Sequence, residues 1–152
     1  VYKLIATIGA VAIAALLALG CGGGGEDEAD ASQLTKAEFV KQADAICGKF
    51  KKERKAAIVA WEKEFPGGEV PEKQIDVGLA QIVAPSMKQE AEALEALGAP
   101  EGDEQEVAQM IANLSKGSRV IAAEGRQGIP QSGLPQFERE ATAYGLKACP
   151  SL

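Results

Sequence analysis

Leu34-Thr35-Lys36-Ala37-Glu38-Phe39-Val40-Lys41-Gln42-Ala43-Asp44-Ala45-Ile46-Cys47-Gly48-Lys49-Phe50 is the stretch whose reading decides the fold. Thr35 and Glu38 have the spacing of a capping box, in which each side chain accepts a backbone N–H of the other residue. Leu34 and Phe39 flank the pair as a hydrophobic staple would. Phe39, Ala43, Ile46 and Phe50 then recur at helical spacing, and Ala57, Trp61 and Phe65 continue the stripe, with Val40, Cys47 and Ile58 widening it. The pattern predicts one long helix from about Lys36 to Phe65, stopped by Pro66-Gly67-Gly68.

Downstream of that stop the same signals repeat. A second helical region begins near Val70-Pro71-Glu72, where proline suits a first turn. Ile75, Leu79, Ile82 and Val83 give it an apolar face. Pro85 interrupts the run, because proline lacks a backbone donor and clashes with the preceding turn. Met87, Ala91, Leu94 and Leu97 then resume it, so the region is one helix kinked at Pro85 or two shorter ones. Gly98-Ala99-Pro100 ends it. Asp103 and Glu106 have cap spacing for a third helix. Its stripe is Val107, Met110, Ile111, Leu114 and Ile121, with small Ser118 among them. A loop over residues 125–133 leads to a last helix from about Pro135 to Tyr144, which buries Phe137, Ala141 and Tyr144. The expectation is an all-α fold, a small antiparallel bundle of about four helices joined by short connections.

Composition agrees with this. Only 5% of the 152 residues are aromatic, and strong helix formers dominate. The chain carries a net charge of −6, which argues against nucleic acid as a partner. No histidine is present. That removes His-dependent triads and most zinc sites. Ser32, Ser86, Ser115, Ser118, Ser132 and Ser151 lack the glycine pattern of a nucleophile elbow. Residues 22–25 are glycines, but no strand precedes them and no Lys-Ser/Thr follows, so they are not a phosphate loop. Neither a catalytic constellation nor a cofactor or metal motif is found, and the chain reads as non-enzymatic. The run Lys49-Phe50-Lys51-Lys52-Glu53-Arg54-Lys55 reads as a solvated helix face paired with nearby acids; docking on phosphate-bearing lipids or acidic wall polymers is the competing reading. Trp61 reads as a core or rim residue.

The N-terminal segment has the three parts of a secretory signal. Lys3 supplies the positive start, residues 4–19 are uncharged and apolar, and Gly20 precedes Cys21. Val1 is read as a valine-coded start. Leu17-Ala18-Leu19-Gly20-Cys21 resembles the lipobox of bacterial lipoprotein precursors, with Ala18 and Leu19 departing from the order usual in that family. The resemblance implies cleavage before Cys21, a lipid on its thiol, and a protein held on the extracytoplasmic side of the cell membrane. Two or three acyl chains, at ~0.8 kcal/mol per buried methylene, anchor stably. An uncleaved apolar anchor is the alternative, since the run is almost long enough to span a bilayer. The expected organisation is therefore a signal peptide over 1–20, a lipidated cysteine and Gly/acidic tether over 21–33, and a helical domain over 34–152. The tether would span on the order of 20 Å. Of the 16 basic residues only Lys3 lies before Cys21, and none of the 22 acids does. The mature part is therefore one unit more negative than the whole.

With Cys21 taken by the lipid, Cys47 and Cys149 remain, an even pair in a chain exported to an oxidising compartment. They are expected to form a disulfide; two free thiols are the alternative. Leu34-Thr35-Lys36-Ala37-Glu38-Phe39, Ala43-Asp44-Ala45-Ile46-Cys47, Leu97-Gly98-Ala99-Pro100 and Tyr144-Gly145-Leu146 with Cys149 carry a second resemblance. It is to small helical bacterial lipoproteins and secreted proteins of unassigned function. It implies the fold and the bridge and brings no activity with it. The functional expectation is a membrane-anchored, non-catalytic module that contacts an envelope protein or wall polymer. A ligand-binding lipoprotein with a pocket between helices near Pro85 is the alternative, and a carboxylate-dependent hydrolase is a more remote one.

Overall fold

The computed structural model describes residues 34–149. Residues 1–20, Cys21 and the tether over 21–33 lie outside the described part, as do residues 150–152. The described residues form an all-α bundle of α1 (Lys36–Glu62), α2 (Glu72–Gly78), α3 (Ala84–Glu95), α4 (Glu104–Glu124) and α5 (Leu134–Tyr144). Between α2 and α3 the helical path continues through one π-helical stretch, Leu79–Val83.

The start of α1 follows its sequence. Glu38 N–H donates to Thr35 Oγ1 at 3.3 Å, and Thr35 N–H donates to Glu38 Oε2 at 3.0 Å, so two otherwise orphaned donors are satisfied. The helix ends at Glu62, three residues earlier than predicted. Glu64 N–H turns back to the Trp61 carbonyl and Phe65 N–H to that of Glu62, tightening the chain out of α geometry before Pro66.

Pro85 does not split the second helix. It sits in the first turn of α3. The Ala84 N–H reaches the carbonyl of Leu79, five residues back. Widening the turn in this way gives the backbone room where the proline ring would collide with an α-helical carbonyl. Ser118 Oγ from α4 donates to the Ala84 carbonyl at 2.8 Å and ties this region to its neighbour.

Pairs of touching residues fix the helix directions. Along α1 and the second helix, Trp61 meets Gly78 and Arg54 meets Ser86 and Glu90. Along α3 and α4, Met87 meets Gly117 and Ala84 meets Ser118. Along α4 and α5, Gly117 meets Leu134 and Asn113 meets Glu140. In each set one number rises as the other falls, so neighbours run antiparallel, as short connections require. The core contains Phe39, Met87, Leu94, Met110, Leu114 and Phe137, all at most 1% exposed. Phe39 and Tyr144 pack edge to face at 5.7 Å.

Two local expectations are corrected. Asp103 precedes α4 but its side chain caps no backbone N–H. Instead its Oδ2 accepts from the Tyr144 hydroxyl at 2.6 Å and stands 3.6 Å from Lys36 Nζ, so it joins α1, α4 and α5. Burial and then this hydrogen bond push the Tyr144 phenol well above its ordinary pKa. The stretch expected as a loop over 125–133 is largely a 3₁₀ turn, Gly125–Gln131.

Candidate functional site

An open cleft of about 360 Å³ lies beside α1. Its cause is a difference in length. At 1.5 Å per residue, the 27 residues of α1 extend about 40 Å and the 11 residues of α5 about 16 Å. Contacts between α1 and the last stretch of chain gather on the first half of α1. Phe39 meets Tyr144, Asp44 accepts from the N–H groups of Lys147 and Ala148, and Cys47 is bonded to Cys149. Past that seam Arg54 and Ile58 of α1 line the cleft together with Leu134, Pro135 and Glu138.

Ile58 of α1 forms one wall of the cleft, and Leu79, Val83 and Met87 of the second helix form its floor with Ile121 of α4. Ile129, Leu134 and Pro135 form the opposite wall. These side chains are aliphatic or thioether; no aromatic ring lines the space. Two charged residues do: Arg54 and, on α5, the half-buried Glu138. A groove along α1 continues the cleft past Arg54 and Ile58 to Lys55, Val59 and Glu62. Val59 and Ile129 are the exposed large apolar side chains of the described residues; Ile129 lines the cleft and Val59 the groove beside it.

Arg54 corrects the sequence reading. Inside a basic run expected to be solvated, it is 5% exposed and reaches under α1. Its Nη1 donates to Ser86 Oγ at 3.1 Å and to Glu90 Oε2 at 3.0 Å. Glu90 is 1% exposed. Burial raises its pKa, against the pull of the Arg54 charge. Among the described residues no buried side-chain nitrogen or oxygen lacks a partner. Among the described residues Nη1 is the guanidinium nitrogen with a protein acceptor, and no other nitrogen of the side chain is both buried and unpartnered. Ala57, placed on the buried stripe by its spacing, is exposed, and Arg54 holds the inward position one turn before it.

Cys47 and Cys149 meet as a disulfide with Cα atoms 5.0 Å apart. Cys21 lies outside the described residues. Trp61 is half-buried at the rim of the core, edge-on to Phe65 at 5.1 Å. Glu90 is the one buried carboxylate among the described residues, and it faces an arginine rather than a second carboxylate. Among those residues no group of three or more Cys, Asp or Glu is placed to hold a metal ion, and no helix is long and apolar enough to cross a membrane. A second hollow of about 390 Å³ between α3 and α4 is lined partly by Glu95, Glu104 and Arg119 and has no buried charge in its wall. No family model matches the chain, and no curated protein or solved structure does.

Proposed function

We propose that this protein is a non-catalytic binding module, held on the extracytoplasmic side of the cell membrane by a lipid on Cys21, and that the cleft beside α1 is its working surface. The observation that carries the reading is the cleft: a concave, almost wholly aliphatic space with one buried arginine in its wall. Sites for small molecules are commonly of this kind, apolar walls with a few placed polar groups, and about 360 Å³ lies at the small end of their range. Among the described residues every buried side-chain nitrogen and oxygen has a partner. The tether over 21–33 suits this role, since it would let the domain stand clear of the lipid surface. The runner-up occupant is a helix of an envelope protein, for which exposed Val59 and Ile129 speak.

Methyl-resolved NMR with decanol, a neutral single chain, tests the reading. The expected result is saturable shifts confined to the methyls of Ile58, Leu79, Val83, Ile121, Ile129 and Leu134. The Ile58→Trp variant, which fills the cleft from its α1 wall, is expected to lose these shifts. Shifts centred on the hollow between α3 and α4 would move the working surface there; no shifts would remove small apolar guests altogether.

A further inference from the structure

Resting on the reading of the cleft as the working surface, we propose that its guest is a single-chain aliphatic carboxylate, with the alkyl chain on the apolar walls and the carboxylate held by Arg54. Three observations lead to this class.

The first is the wall chemistry. Planar and quaternary-ammonium guests are held on aromatic faces. None lines the cleft, whereas Ile58, Leu79, Val83, Ile121, Ile129 and Leu134 offer an aliphatic surface that an alkyl chain matches. The second is size. The space lies near the lower limit of small-molecule sites and suits one chain rather than a two-chain lipid. The third is the guanidinium. Arg54 spends Nη1 on Ser86 and Glu90 and keeps its other N–H groups without a protein acceptor among the described residues. The planar fork matches a carboxylate. Ser86 and Glu90 fix it through Nη1, and neither lines the cleft. The side chain is thus oriented before a ligand arrives, which lowers the ordering cost of binding. Glu138 on the opposite wall opposes a carboxylate, so it weakens the complex and supplies an independent check.

Calorimetric titration of the full chain with dodecanoate, dodecyl maltoside and dodecyltrimethylammonium, each kept below its micelle concentration, separates chain from head. Dodecanoate is expected to bind about tenfold or more tightly than either of the others, the gain of a charge-assisted hydrogen bond. The double variant Arg54→Met/Glu90→Leu removes the ion pair without orphaning either partner and is expected to abolish that preference while still binding the alkyl chain. Glu138→Gln lies outside the ion pair and is expected to tighten dodecanoate binding several-fold and leave dodecyl maltoside unchanged. Equal affinity for the three heads, or a Glu138→Gln variant that binds dodecanoate no better, overturns the proposal and leaves the cleft reading in place. No affinity for any of the three chains overturns both.

Discussion

At the scale of single residues, the Arg54–Glu90 pair dominates. Removing one partner of a buried pair leaves an uncompensated charge, at a cost of about 3–5 kcal/mol, whereas replacing both by apolar groups is often neutral or stabilising. Arg54→Met alone is therefore expected to lower unfolding free energy by about that amount in urea denaturation, and Arg54→Met/Glu90→Leu to recover most of it. The direction of the Glu90 shift adds a pH signature. A carboxyl whose pKa is raised in the folded state binds its proton more tightly there than in the unfolded chain. Its contribution is full below the unfolded value of 4.5 and is lost as pH rises through the folded value. Glu90→Gln should therefore remove a decline in stability as pH rises above 4.5. Glu38 and Asp76, whose pKa values are lowered chiefly by hydrogen bonds to Thr35 and Arg126, act in the opposite sense, below the ordinary carboxylate range. A fit in which stability still falls with pH in the Glu90→Gln protein would assign the effect elsewhere. The pair is legible in the spacing. Arg54 lies four residues after Phe50 and seven after Cys47, and Glu90 lies three after Met87 and four before Leu94. Each charge thus occupies a stripe position on its helix. Glu53 in the middle of the run and the acidic balance of the chain speak for a solvated face.

At the scale of elements, local chemistry was legible and tertiary choices were not. The capping box of α1 and the stops at Pro66 and at Gly98-Ala99-Pro100 are written in a few neighbouring residues. Sequence placed the disturbance at Pro85 correctly but left kink and break equally open. The outcome depended on whether the turn could widen while Ser118 and Ala84 stayed together, which is a property of packing. Asp103 had the residue type of a cap, yet Tyr144 and Lys36 claim its carboxylate, and both are distant in sequence. Gly78 shows the same dependence on a partner. Its φ is an ordinary −61°, so the turn itself does not require glycine. The Trp61 ring is what requires it: a Cβ at position 78 would stand 2.7 Å from Trp61 Cη2 and Cζ3. Gly78→Ala must push the indole away from the second helix, and overpacking of this kind costs about 1–3 kcal/mol. The expected readout is a lower urea midpoint with altered tryptophan emission, since Trp61 is the only tryptophan in the chain. Alanine there raising the midpoint, as a helix-propensity gain alone would, counts against the close approach of α1 and α2.

At the scale of the whole molecule, one covalent link closes the described bundle. Cys47 and Cys149 are 102 residues apart, and a loop of that size stabilises by up to ~4.7 kcal/mol in the chain-entropy model. Asp44 reinforces the seam by accepting both the Lys147 and Ala148 N–H groups at 2.8 Å. The closure holds the tail against the first half of α1 while the second half flanks the cleft. Such a link belongs to an oxidising compartment, so the bridge and the proposed export support one another, and one variant tests them together. Cys21→Ser removes the thiol that the lipid would take but leaves the apolar run and the Cys47–Cys149 pair untouched. In a bacterial host that exports the protein, the variant is expected to leave the membrane fraction, or to accumulate there only with residues 1–20 uncleaved. Unreduced peptide mapping should still show Cys47 and Cys149 in one linked peptide. A variant cut before position 21 that stays with the membrane would place the anchor elsewhere in the chain. Free thiols at both positions in the exported protein would break the connection between compartment and bridge, because the bundle brings the two cysteines together whether or not Cys21 carries a lipid.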